Sequence, residues 1–86
     1  MKKTITLSVN GTDIVFDMTA DLYNKYIDEL QPNKKTGPTR NLLMRAVQSD
    51  SKEALKAVVD LPGASMQIAG QLIEKYAPDI EVTVGE

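Results

Sequence analysis

Polar and apolar residues alternate from Thr4 to Val9, with Ile5, Leu7 and Val9 on one face, and again from Asp13 to Met18, with Ile14, Phe16 and Met18 on one face. A period of two is the signature of a half-buried strand. Between the two runs stands Asn10-Gly11, a pair that favours a two-residue type I′ turn because both central positions need positive φ. The turn fixes the register: Val9 faces Thr12, Leu7 pairs with Ile14 and Ile5 with Phe16. A slip of one residue would turn one strand's apolar set into water. The opposite face carries Thr4, Thr6, Ser8, Asp13, Val15 and Asp17, the pattern of an antiparallel sheet with one wet side.

The apolar side of this hairpin needs helices to cover it, and the period of the chain changes accordingly. Thr19 is placed to cap a helix over Ala20 to Leu30, with Asp21 at the positive end of its dipole. Leu22, Tyr23, Tyr26, Ile27 and Leu30 fall in one stripe of that helix. Pro32 and the polar run Asn33 to Pro38 stop it and form the segment expected to be most mobile. Thr39 is the expected cap of a second helix that turns Leu42, Leu43, Ala46 and Val47 inward and leaves Met44 on the other side. Asp50, with Glu53 three residues on, resembles a capping box for a third helix bearing Ala54, Leu55, Val58, Val59 and Leu61. Leu61-Pro62-Gly63 breaks it, and Pro62 suits the first turn of the next helix. Ile68, Ala69, Leu72, Ile73 and Tyr76 form the stripe of that fourth helix, which Ala77-Pro78-Asp79 ends. Ile80, Val82 and Val84 then alternate with Glu81 and Thr83 as a third strand. A lone strand leaves its backbone unpaired, so it is expected to join an edge of the hairpin. The expected fold is α+β: an N-terminal antiparallel hairpin, about four α-helices and a C-terminal strand, in a single domain over residues 1–86.

Composition narrows the chemistry. The chain has 86 residues, 10 Lys+Arg against 12 Asp+Glu, a net charge of −2 and 42% apolar residues. A domain this small buries only roughly 60 to 65% of its unfolded surface, so most of the apolar residues are needed for one core. There is no Cys and no His, which removes disulfides, thiol nucleophiles, Ser-His-Asp triads and the zinc sites built from those ligands. A sequence pI of about 5.0 argues against a dedicated nucleic-acid binder, for which a basic face and a pI above about 9 are usual. The longest apolar runs fall far short of the roughly 20 residues that span a bilayer, and Met1-Lys2-Lys3 does not lead into a signal peptide. The default expectation is a cytoplasmic protein that engages no membrane.

Each chemical candidate has a plainer reading. Lys34, Lys35 and Arg40 near Gly37-Pro38 lack the spacing of a phosphate-binding loop and read as a solvated segment. Ser49-Asp50-Ser51 has no base to activate a nucleophile and reads as a helix cap. Asp28 and Glu29 point about 100° apart on a helix and do not converge as an acid and a base. Asp13, Asp17 and Glu81 lack a loop that supplies backbone oxygens to a cation. Tyr23, Tyr26 and Tyr76 read as core or core edge, with hydroxyls reaching water. No catalytic, cofactor or metal site is expected, and the chain does not read as an enzyme. One feature stands apart. Gly63, Met66 and Gly70 share a side of the fourth helix next to its main stripe. A helical glycine costs about 1 kcal/mol relative to alanine, so Gly70 is expected to permit a close approach, either internally or by another chain. Met44 and Met66 are adaptable side chains suited to such a contact. Met44, Gly63, Met66 and Gly70 are therefore the candidate partner-binding surface.

Along nearly its whole length the chain resembles the small tail assembly chaperones of tailed bacteriophages and prophages. The resemblance is carried by ITLSVNGTDIVF (Ile5 to Phe16), YNKYIDE (Tyr23 to Glu29), NLLMRAV (Asn41 to Val47), KEALK (Lys52 to Lys56), LPGA and QIAG (Leu61 to Ala64, Gln67 to Gly70) and YAPDIEVTV (Tyr76 to Val84). None of these is a reaction motif. The resemblance implies a non-enzymatic morphogenesis factor without cofactors that acts in the bacterial host cell. Such a factor engages the tape-measure protein, and in some cases tail-tube subunits, and forms homo-oligomers. The competing reading is a small phage-encoded regulator that binds nucleic acid through Lys2, Lys3, Lys34, Lys35 and Arg40, recognisable by salt-sensitive binding.

Overall fold

The structure is a computed structural model that describes residues 2–77, 80 and 82–85. Two strands, β1 (Lys2–Val9) and β2 (Thr12–Thr19), lead into α1 (Ala20–Glu29), α2 (Thr36–Ala46), a short 3-10 turn (Ser49–Ser51), α3 (Lys52–Val59) and α4 (Ala64–Tyr76). The class is α+β. The hairpin closes as its turn chemistry requires, with Asn10 at φ 51° and Gly11 at φ 82°, and its register pairs Val9 with Thr12, Leu7 with Ile14 and Ile5 with Phe16. On the wet face, Thr4 Oγ1 donates to Asp17 Oδ1 at 2.7 Å across the strands.

All the helices lie against the hairpin's apolar side. Ile14, Phe16 and Met18 are fully buried with Leu42, Leu43, Leu55 and Leu72, joined by Ile5, Tyr26, Ala46, Val59, Ile68 and Ala69. Thr19 caps α1 by accepting the Leu22 amide at 3.1 Å. Within the expected α1 stripe Tyr26 is buried, but Ile27 is 45% exposed. Tyr23 packs beside Tyr76 of α4 with ring centroids 6.1 Å apart.

The other helix starts depart from the sequence expectation, each for a local reason. Thr39 does not cap α2. The helix begins at Thr36, where Gly37 and Pro38 occupy a first turn that needs no internal N–H donors. Thr39 is fully buried, and its hydroxyl donates back to the Lys35 carbonyl at 2.6 Å. Asp50 forms no capping box with Glu53, because Ser49–Ser51 winds as a 3-10 turn and α3 has no side-chain cap. The Ser51 hydroxyl serves β2 instead, accepting the Val15 amide at 3.0 Å. Pro62 does not open α4. Gly63 adopts φ 75°, a left-handed conformation that glycine takes without strain, and the helix begins after it at Ala64. Leu61, expected in the apolar face of α3, lies past the helix end and is 52% exposed.

The sheet has two strands among the described residues. Ile80, Val82, Thr83 and Val84, expected to add a third, have no regular structure and are exposed, while Glu81 in the middle of that run lies outside the described residues. The outer edge of β2 is closed from another direction: Val47 bridges Phe16, and the Gln48 amide donates to the Val15 carbonyl at 2.8 Å. No helix among the described residues is long and apolar enough to cross a membrane.

Candidate partner-binding surface

Helix α4 packs against both α2 and β1, so its buried stripe (Ser65, Ile68, Ala69, Leu72) has a flank on each side. Met66 and Gly70, four residues apart, share one flank. Met66 is 45% exposed, and its sulfur lies 3.4 Å from Thr39 Oγ1 on α2. That hydroxyl already donates to the Lys35 carbonyl, so the sulfur is a weak secondary acceptor. Gly70 is exposed, and a Cβ built there meets nothing within 4 Å. The internal close approach expected at Gly70 is therefore absent, and the space beside it faces solvent.

The other two candidates play different structural parts. Gly63 stands at the helix start in its left-handed conformation, and a Cβ there would lie 3.6 Å from the side-chain Nε2 of Gln67. Backbone geometry thus accounts for this glycine. Met44, expected to point away from the inward residues of α2, is half-buried and packs on the edge of the core. The structure therefore places Met66 and Gly70 on α4, Gly63 in the turn just before it, and Met44 in the core margin of α2.

The opposite flank of α4 carries a groove that sequence reasoning did not single out. A cavity of about 510 Å³ runs between β1 and α4, lined by residues that include Thr6, Ser8, Gln67, Ile68, Gln71 and Lys75. A smaller one of about 230 Å³ continues past Val9 and Asn10 to Val58, Leu61 and Pro62. The groove follows from the asymmetry of the two strands in the fold: β2 has a neighbour on each side, whereas β1 has one.

Ion pairs tie the helices together and occupy part of the basic complement. Arg40 on α2 donates to Asp60 after α3, from Nε to Oδ1 at 2.8 Å and from Nη2 to Oδ2 at 3.4 Å. The guanidinium hydrogen bond holds the Asp60 carboxyl below its ordinary value and raises Arg40 above its own. Arg45 on α2 donates to Glu29 on α1 at 3.0 Å. Asp17 also titrates below the ordinary aspartate value, because Thr4 and Gln48 donate to it, with a smaller contribution from the Lys2 charge. Of the five basic residues in the nucleic-acid reading, Lys2 faces Asp17 at 3.8 Å, Arg40 is paired, and Lys3 Nζ donates to the Lys75 carbonyl at 2.7 Å.

The chain is 30% identical over 84 residues to an uncharacterised 11.3 kDa protein from the lys 3′ region of Haemophilus phage HP1, an alignment that covers 98% of this chain and 82% of that protein. No solved structure matches. A family model described as phage tail assembly chaperone matches residues 5–86. The chain belongs to the phage tail assembly chaperone family.

Proposed function

We propose that this chain is a non-enzymatic chaperone, folded as one domain, that binds the tape-measure protein of its phage, and in some contexts tail-tube subunits, in the host cytoplasm during tail assembly. The observation that carries the reading is the family match over residues 5–86. A chaperone of this kind needs accessible apolar surface for an amphipathic client helix. The α4 flank bearing Met66 and Gly70 supplies it: an exposed, adaptable thioether stands one turn from a glycine with open space above it. The proposed surface also includes Met44, a half-buried thioether at the core margin of α2, and Gly63, which sets the direction in which α4 leaves its turn. The reading requires no cofactor or metal. The regulator reading gains no support, since Lys2 and Arg40 are engaged by carboxylates and the chain carries net negative charge.

The test is co-expression with the tape-measure protein from the same genome, followed by co-purification. The unaltered chain should bring down soluble tape-measure protein. Gly70→Leu, which fills the open space, and Met66→Lys, which places a charge on the flank, should each lose it while keeping the native circular dichroism spectrum. Full recovery of the complex with both variants would place the client elsewhere.

A further inference from the structure

The chain has four methionines and no cysteine, so all of its sulfur is in thioethers. Hydrogen peroxide converts a thioether to a sulfoxide: a sulfur lone pair takes one oxygen atom, the O–O bond breaks, and the rest of the peroxide leaves as water. The sulfur is oxidised by two electrons and the peroxide is reduced by two. An apolar side chain becomes a polar, chiral one, and dedicated reductases reverse the change. Exposure decides which thioether reacts first, and the fold grades the three methionines among the described residues. Met18 on β2 is fully buried in the core. Met44 on α2 is half-buried at the core margin. Met66 on α4 is 45% exposed.

The surroundings of Met66 add to its exposure. Its sulfur lies 3.4 Å from Oγ1 of Thr39, a fully buried residue, so one side of the thioether rests on α2 and the other is open. The single hydroxyl proton of Thr39 is committed to the Lys35 carbonyl at 2.6 Å. An oxygen added on the inner side would therefore face hydroxyl lone pairs with no free donor, whereas one added on the open side is hydrated. Gly70, one turn along the same flank, contributes no side chain to shield the sulfur, and the space above it is empty.

We propose that Met66 is an oxidation-sensitive modification site at which a peroxide forms the sulfoxide without unfolding the protein, and that the modified flank releases its client until a methionine sulfoxide reductase restores the thioether. The second half rests on the proposed function, in which an amphipathic client helix lies against Met66 and Gly70. Covering a sulfoxide with an apolar helix face leaves a strong acceptor without a donor, a penalty that the thioether does not carry. The fold is spared because α4 is held through Ser65, Ile68, Ala69 and Leu72 on its buried side, while the new oxygen stands in water. Oxidation at Met18 would have the opposite outcome, since it would place the oxygen inside the core.

Limited treatment of the protein alone with hydrogen peroxide, followed by peptide mass spectrometry and circular dichroism, tests the site. The peptide carrying Met66 should gain one oxygen first, that carrying Met44 more slowly and that carrying Met18 last. The circular dichroism spectrum should stay native when Met66 has been converted. Oxidation of Met44 or Met18 as fast as Met66, or loss of the native spectrum on conversion of Met66, would overturn the assignment. The switch is tested by treating the immobilised chain, washing it, and exposing it to a lysate containing the tape-measure protein. The chain oxidised at Met66 should lose the complex, and reductases for both sulfoxide epimers should restore it. In Met66→Leu, the amount of complex should be the same before and after peroxide. An oxidised chain that keeps the complex, or a Met66→Leu chain that loses it on treatment, would overturn the switch. If the untreated chain captures no tape-measure protein, the proposed function fails and the switch with it, whereas the site stands or falls on the mass spectrometry alone.

Discussion

Ser51 Oγ accepts the amide of Val15 at 3.0 Å, so a side chain at the foot of α3 completes the outer edge of β2, thirty-six residues earlier in the sequence. Together with the Gln48 amide on the Val15 carbonyl, this contact converts β2 into a central strand without a third strand beside it. It also explains why the serine before α3 caps no helix. Ser51→Ala should destabilise the protein by about 1–3 kcal/mol, because a part-buried amide loses its acceptor. Chemical denaturation reads the loss, and hydrogen exchange should show the Val15 amide deprotected first.

The core claim is tested most simply at Leu72, which is fully buried where α4 meets the hairpin and α2. Leu72→Ala should cost about 2–5 kcal/mol, the range for removing a buried leucine side chain and leaving a cavity. A cost below this range would mean that α4 is not fixed against the hairpin.

Gly70 offers a prediction of opposite sign. A Cβ there meets nothing, so Gly70→Ala should stabilise the helix by about 0.5–1 kcal/mol through reduced chain entropy. If the glycine is retained to let a client approach, the same variant should be more thermostable yet bind the tape-measure protein less well. Gly11→Ala should behave differently and destabilise, because φ 82° in the hairpin turn is unfavourable for any residue with a Cβ.

The carboxyls of Asp17 and Asp60 sit below the ordinary aspartate value of 3.8, Asp17 through hydrogen bonds from Thr4 and Gln48, Asp60 through that from Arg40. A depressed folded value means that the unfolded chain binds protons first as pH falls. The stabilisation is fully present above the ordinary carboxylate range and is lost as pH drops through the lowered folded value. Stability measured by denaturation should therefore fall from neutral pH towards pH 3, and the fall should be smaller in Asp17→Asn and Asp60→Asn. The Asp60 side chain is 69% exposed, so added salt should weaken the Arg40–Asp60 part of the effect.

The hairpin and the inward faces of the helices were legible in the sequence because each rests on local chemistry. Asn10-Gly11 dictates a turn, the turn dictates register, and a period near 3.6 places Leu42, Leu43, Leu55 and Leu72 in the core. The helix starts at Thr39, Asp50 and Pro62 were misread for a common reason. In each case the tertiary fold claims that residue or its neighbour: Thr39 is buried and bonded to Lys35, Ser51 beside Asp50 is drawn to β2, and Gly63 after Pro62 takes the left-handed turn. Of the candidate site, Met66 and Gly70 were placed on one flank of α4 by spacing alone. The groove along β1 was not, because an open strand edge is defined by what fails to pair with it, and pairing between distant segments leaves no local pattern.

The central claim, a tail assembly chaperone whose client lies on the Met66–Gly70 flank, is tested most directly by hydrogen exchange of the protein alone and bound to its tape-measure protein. Protection should appear on binding over α4 around Met66 and Gly70 and on α2 near Met44. The absence of any complex, or protection confined to the wet face of the hairpin around Thr4 and Asp17, would contradict it.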